Sequence, residues 1–225
     1  MRRHSVLWAL AVAVLAVQPP AATAAGSGVG SSVDMGVEAP RRTPEQIATS
    51  SYNAGLKNKA RAQSYEAEAA EAAKEKDRAK HLKRARAQWE NAAKNYSKAI
   101  KNDPKMYVAM NELGFAYRKL GDYENSVRAY NTALFVKPGF APAIEYRAEA
   151  FLALGLYEET KAAYLELYRD DQDHAALLMQ AFDGWLAALA ADAPTEARAF
   201  ADWVSERKRL AEVTQVRPGR LERTW

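Results

Sequence analysis

The sequence predicts an all-α fold built as an array of antiparallel helix hairpins, the first of them lengthened. Three observations carry this. Straight-chain helix formers and alanine are prominent while β-branched residues are sparse, and straight-chain side chains lose little freedom in a helix. The chain is self-similar at an offset of 34 residues, which aligns Trp89, Tyr123 and Tyr157; Ala92, Ser126 and Thr160; Tyr96, Tyr130 and Tyr164; and Pro104 with Pro138 and Gly121 with Gly155. Small residues at fixed places let helices approach, rings fill the gaps, and Gly and Pro end the helices.

Residues 1–25 read as a secretory signal peptide. Arg2 and Arg3 precede an apolar run from Val6 to Val17, Pro19-Pro20 break the helix, and Ala22-Thr23-Ala24 or Thr23-Ala24-Ala25 offers a small-residue cleavage site. The run of 12 residues is short of the roughly 20 that span a bilayer. An uncleaved anchor and a twin-arginine route are the alternatives. The expectation is an exported bacterial chain, periplasmic or secreted, with no membrane span once the signal is removed. Residues 26–43 begin Gly26-Ser27-Gly28-Val29-Gly30-Ser31-Ser32 and read as a disordered linker.

Structure is expected from Thr43-Pro44-Glu45-Gln46, where Thr43 can cap a helix, Pro44 suits its first turn and Gln46 completes a capping box. Over residues 44–104 the pattern favours a long hairpin turning near 74–78, where Lys74-Glu75-Lys76-Asp77-Arg78 has no apolar member and Asp77 can cap a second helix. A single helix of roughly 85–90 Å is the alternative at 1.5 Å per residue. Leu82, Trp89 and Tyr96 recur every seven residues as one apolar stripe, with Ile47, Tyr52, Leu56 and Tyr65 opposite. Residues 107–140 and 141–174 form two hairpin units. Residues 175–213 form a divergent capping pair, with Phe182 where a small residue is expected and Pro194 opening a last helix that carries Phe200, Trp203, Val204 and Leu210. Residues 214–225 read as a disordered tail.

These features resemble the tetratricopeptide repeat family, whose unit is a helix–turn–helix of this period. Residues 107–140 match best, through Met110, Leu113-Gly114, Tyr117, Ser126, Tyr130, Ala133 and Pro138. Residues 141–174 match through Ile144, Ala148, Phe151, Thr160 and Tyr164, and depart at Arg147, Leu167 and Gln172. Residues 88–104 match only the second half of a unit, so the first helix of that unit would be the lengthened one. The resemblance implies a right-handed superhelical solenoid that binds a partner peptide in a groove lined by first helices. It places Asn111, Phe115, Arg118 and Lys119 of one unit, and Glu145, Glu149 and Leu152 of the next, in that groove. Glu145 and Glu149 would repel a terminal carboxylate, so a peptide of mixed charge is the expected ligand.

Composition excludes several chemistries. With no cysteine there is no disulfide, thiolate metal site or cysteine nucleophile. Of the histidines outside the signal, His81 lies among Lys80, Lys83 and Arg84, and His174 follows Asp170-Asp171-Gln172-Asp173. The latter lacks the alternating ligands, glycine and distant glutamate of a calcium loop, and helix capping by Asp171 or Asp173 accounts for it better. No cofactor, metal or catalytic residue is expected, and the chain reads as a non-catalytic scaffold.

Charge is unevenly divided. Residues 41–104 carry 15 Lys/Arg against 8 Asp/Glu, residues 105–225 carry 15 against 18, and the whole chain is +4. The basic cluster Lys74, Lys76, Arg78, Lys80, Lys83, Arg84 and Arg86 at the hairpin tip gives an alternative function, docking to anionic lipid or cell-wall polymer. No aromatic residue interleaves with it, which disfavours nucleic acid. Self-association through Ala62, Ala69, Ala70 and Ala73 is a third reading.

Overall fold

The computed structural model describes residues 42–215, with side chains to residue 211. The expected signal peptide, nearly all of the linker and the tail from residue 216 lie outside the described residues. Among the described residues every regular element is helical: α1 (Pro44–Glu71), α2 (Glu75–Asn102), α3 (Tyr107–Leu120), α4 (Tyr123–Val136), α5 (Ala141–Leu154), α6 (Tyr157–Asp170), α7 (Gln172–Ala187) and α8 (Thr195–Gln215).

Local chemistry fixes most of the boundaries. The Thr43 hydroxyl accepts from the Gln46 N–H while the Gln46 side chain accepts from the Thr43 N–H, which opens α1. Gly121 and Gly155 adopt φ of 79° and 74°, and their N–H groups close on Arg118 and Leu152 carbonyls. A side chain there would meet the left-handed penalty, so glycine ends α3 and α5 at the same place in each unit. The two units keep one register: α5 and α6 begin and end 34 residues after α3 and α4.

Two boundaries differ from expectation. The hairpin between α1 and α2 turns at residues 72–74, and Asp77 is not the cap. Lys74 occupies that position without a side-chain bond, and Asp77 lies in the first helical turn, where a carboxylate favours the positive end of the helix dipole. Helix α7 starts at Gln172, three residues ahead of the register. With no proline there the chain re-enters a helix at once. Asp171 serves both ends: its N–H closes on the Leu167 carbonyl and its carboxylate accepts from the His174 N–H at 3.1 Å.

The first two hairpins are each held by a ring set onto a glycine. The Tyr130 ring covers Gly114, where a Cβ would come within 2.6 Å of it, and the Ser126 hydroxyl donates to the Gly114 carbonyl at 2.8 Å. Tyr96 covers Gly55 in the same way, with a Cβ there 2.4 Å from the ring. Helices α1 and α2 therefore pair as a repeat unit does, at twice the length: each has 28 residues against 14 in α3 to α6. The extra turns extend the first hairpin by about 21 Å at 1.5 Å per residue.

At the other end Phe182 takes the small-residue position, and packing changes to rings against rings. Phe182, Phe200 and Trp203 meet at centroid distances of 5.2 to 6.4 Å, and Tyr157 and Tyr164 of α6 join them. Helix α8 thus seats on α6 as well as α7 and closes the core.

Candidate functional site: the wall of first helices

Helix α3 packs on α5 and α5 on α7, whereas α2, α4 and α6 make no comparable contact with one another. The array therefore bends toward its first helices, and α1, α3, α5 and α7 form the inner wall. The array is tetratricopeptide-like. That assignment rests on the period of the helices, the paired glycine caps and the rings set into small residues.

Ion pairs cross the wall from helix to helix. Lys59 of α1 meets Glu112 of α3 at 2.8 Å, and Glu66 of α1 meets Lys119 of α3 at 2.9 Å. Arg118 of α3 is paired with Glu149 of α5, and Glu145 of α5 lies 3.9 Å from His174 of α7. Aromatic faces back the cations. Lys59 and Arg118 stand 4.5 and 5.0 Å from the Phe115 centroid, Arg118 also lies 5.2 Å from Tyr146, and Lys119 lies 5.8 Å from Trp89. A cation over a ring face is attracted by its negative π cloud. Trp89 is buried and donates its indole N–H to Glu66 at 2.8 Å, which fixes that carboxylate beneath Lys119.

The expected groove residues divide into three groups. Phe115, Arg118, Lys119 and Glu149 line the wall and are partly exposed, each joined to a neighbouring helix. Glu145 and Asn111 are only 7% and 5% exposed, and Asn111 Oδ1 accepts no hydrogen bond from the described residues. Leu152 does not line an open groove: it is 6% exposed and belongs to the core with Ile144, Ala148 and Tyr164. An apolar residue one turn beyond Ala148 is drawn inward by the rings there. Lys59, Glu66 and Glu112 were not among the expected wall residues. The lengthening of α1 breaks the 34-residue alignment for its first helix, and only Gly55 opposite Tyr96 restores it.

Burial sets the electrostatics. The Glu145 carboxyl is pushed up to about 7, first by desolvation and next by Glu149, with His174 and Arg118 pulling the other way. The Tyr146 hydroxyl is pushed up to about 12 by desolvation and then by Glu145.

The basic tip is exposed throughout. Arg78 pairs with Glu75 at 3.7 Å and Arg86 with Glu90 at 3.3 Å, Arg84 lies 5.7 Å from the Tyr65 ring, and Lys74, Lys76, Lys80 and Lys83 have no ion partner among the described residues. The alanine face expected for self-association is divided: Ala62 and Ala69 are buried inside the hairpin, leaving Ala70 and Ala73 outside. Among the described residues no group of three or more His, Asp or Glu is arranged to hold a metal, and no helix is long and apolar enough to cross a membrane.

No family model and no curated protein matches the chain. Solved structures similar to it include the TPR2B domain of yeast Sti1 in a pHsp70 complex, at 22% identity over 56% of this chain and 95% of that one, with a TM-score of 0.39. The first TPR of Spaghetti (RPAP3) bound to the HSP90 peptide SRMEEVD is 16% identical over 70% and 95%, with a TM-score of 0.39. The Sgt2 TPR domain from Aspergillus fumigatus is 14% identical over 76% and 90%, with a TM-score of 0.38. At these scores the likeness adds nothing to a fold that rests on the chain's own packing.

Proposed function

We propose that this chain is a non-catalytic interaction scaffold of the bacterial cell envelope, exported to the periplasm or beyond, that holds a peptide segment of a partner protein against its inner wall. One observation carries the reading. Phe115, Arg118 and Lys119 of α3 and Glu149 of α5 are partly exposed beside one another on the wall, an aromatic face set among cations and a carboxylate. A partner segment lying there meets ring and charges together, and aromatic and arginine side chains carry much of the energy of such contacts.

The ligand chemistry follows from the ion pairs. Lys59, Lys119 and Arg118 each already face a carboxylate, so a bare terminal carboxylate would have to compete with Glu112, Glu66 or Glu149 for these cations. A peptide with both charge signs can exchange partners with these pairs instead.

Phe115→Ala with Lys119→Glu changes the exposed part of the wall, and the double variant is expected to lose its partner in a crosslinking pull-down from the envelope fraction while its circular dichroism spectrum stays that of the parent. Undiminished capture by this variant would refute wall binding. Sequencing the N-terminus of the exported form tests the signal reading, with processing expected after Ala24 or Ala25.

A further inference from the structure

Helix α2 carries a feature unrelated to the wall. At about 100° per residue, Lys76, Lys80, Lys83, Lys94, Lys98 and Lys101 fall within roughly 60° of arc on one helix face. The buried side of the same helix, Ala85, Trp89, Ala92, Tyr96 and Ala99, is diametrically opposite. All six lysines are exposed, and none has an ion partner among the described residues. From Lys76 to Lys101 the row is about 38 Å long at 1.5 Å per residue. Only Ala87 shares the arc; Glu90 and Asn91 flank it on either side, and Glu90 is held by Arg86 at 3.3 Å.

A fold needs no such row. Six like charges in line repel one another, and alternating signs would serve solubility equally well. The rest of the chain shows that alternative: Arg128 with Glu124, Lys161 with Glu158 and Arg209 with Glu206 each place a carboxylate one turn away.

We infer that the lysine face of α2 docks the protein on a bilayer of anionic phospholipid, with the helix lying along the surface. Shape selects this occupant. The row is straight and all six lysines stand exposed on one helix face, so it can meet a flat charged surface along its whole length. Residue type agrees. Lysine is a compact, hydrated point charge suited to diffuse attraction, whereas phosphate groups held one by one favour the arginine fork. The arginines of α2 lie off the row, and no aromatic side chain is on it to stack a base. The inner wall lies on the other helices and remains open to a partner, so docking and peptide binding are separable.

The test is flotation of the full chain, freed of its signal, with vesicles of phosphatidylcholine plus phosphatidylglycerol or of phosphatidylcholine alone. Binding is expected only with the anionic lipid, and it should be lost at high salt, where the Debye length falls to about 3 Å at 1 M. Each lysine near such a surface contributes about a fivefold factor in partitioning. Lys76→Gln with Lys83→Gln and Lys94→Gln should therefore weaken binding on the order of a hundredfold, with the circular dichroism spectrum unchanged. Lys→Arg at the same three positions should restore it. An equal loss from Lys74→Gln with Arg78→Gln and Arg84→Gln, which lie off the row, would show that net charge alone acts and overturn the assignment. So would stronger binding to duplex DNA than to anionic vesicles, or flotation with neutral lipid.

Discussion

Gly55→Ala distinguishes a lengthened repeat unit from an ordinary long helix pair. Gly55 lies inside α1, and by helix propensity alone alanine would stabilise that position by about 1 kcal/mol. Packing gives the opposite sign. The new Cβ would stand 2.4, 2.6 and 2.9 Å from three atoms of the Tyr96 ring, and Tyr96 is 0% exposed with Tyr52 at a centroid distance of 6.0 Å. The ring must move by about 1 Å among close-packed neighbours, and overpacking of this kind costs about 1–3 kcal/mol. With three atoms in conflict the upper end applies, leaving about 2 kcal/mol of net destabilisation after the propensity gain. For a domain of this size that corresponds to a fall in Tm of about 4–8 °C. Thermal unfolding followed by circular dichroism measures it, with Gly114→Ala as the internal standard because its Cβ would meet the Tyr130 ring at 2.6 Å. Combining Gly55→Ala with Tyr96→Leu should cost less than the two changes summed, since the smaller side chain makes room. A Gly55→Ala protein as stable as the parent, or more so, would refute the ring-on-glycine account of the first hairpin.

Two further outcomes are expected. Because the Glu145 carboxyl is pushed up to about 7 from 4.5, the folded chain holds that proton more tightly than the unfolded one. The cost of ionising it is absent below pH 4.5, grows as pH rises, and is complete above about pH 7, where it reaches about 3 kcal/mol. Glu145→Gln should therefore raise the urea midpoint at about pH 8 and leave it unchanged near pH 4.5, and a lower midpoint at the higher pH would contradict the burial argument. Arg118→Met leaves Glu149 unpaired beside Glu145 and should cost about 3–5 kcal/mol. Most of that should return in Arg118→Met with Glu149→Leu, and additive losses in the double-mutant cycle would show that the two side chains do not interact.

The repeat period was legible in the chain because the residues that set it act locally or in fixed pairs. Gly121 and Gly155 end their helices through their own φ, Thr43 and Gln46 cap within one turn, and Tyr130 and Gly114 belong to the same hairpin. The lysine row of α2 is likewise a matter of spacing. What spacing does not encode is which helix lies across from which, and at what height. The doubled length of the first hairpin takes α1 out of the 34-residue alignment, so the pairing of Gly55 with Tyr96 and the wall positions of Lys59 and Glu66 follow only from how the hairpin closes. The partners of Arg118, Lys119 and Glu145 were hidden for the same reason, and Leu152 turned inward because the rings around it left apolar space to fill. The amino-acid sequence determined the helices, their period and the charge along α2, since these depend on neighbours within a few turns. Tertiary structure alone decided which charges on the wall are paired and which side chains of the first helices stay partly exposed, since that depends on distances between helices that no local pattern sets.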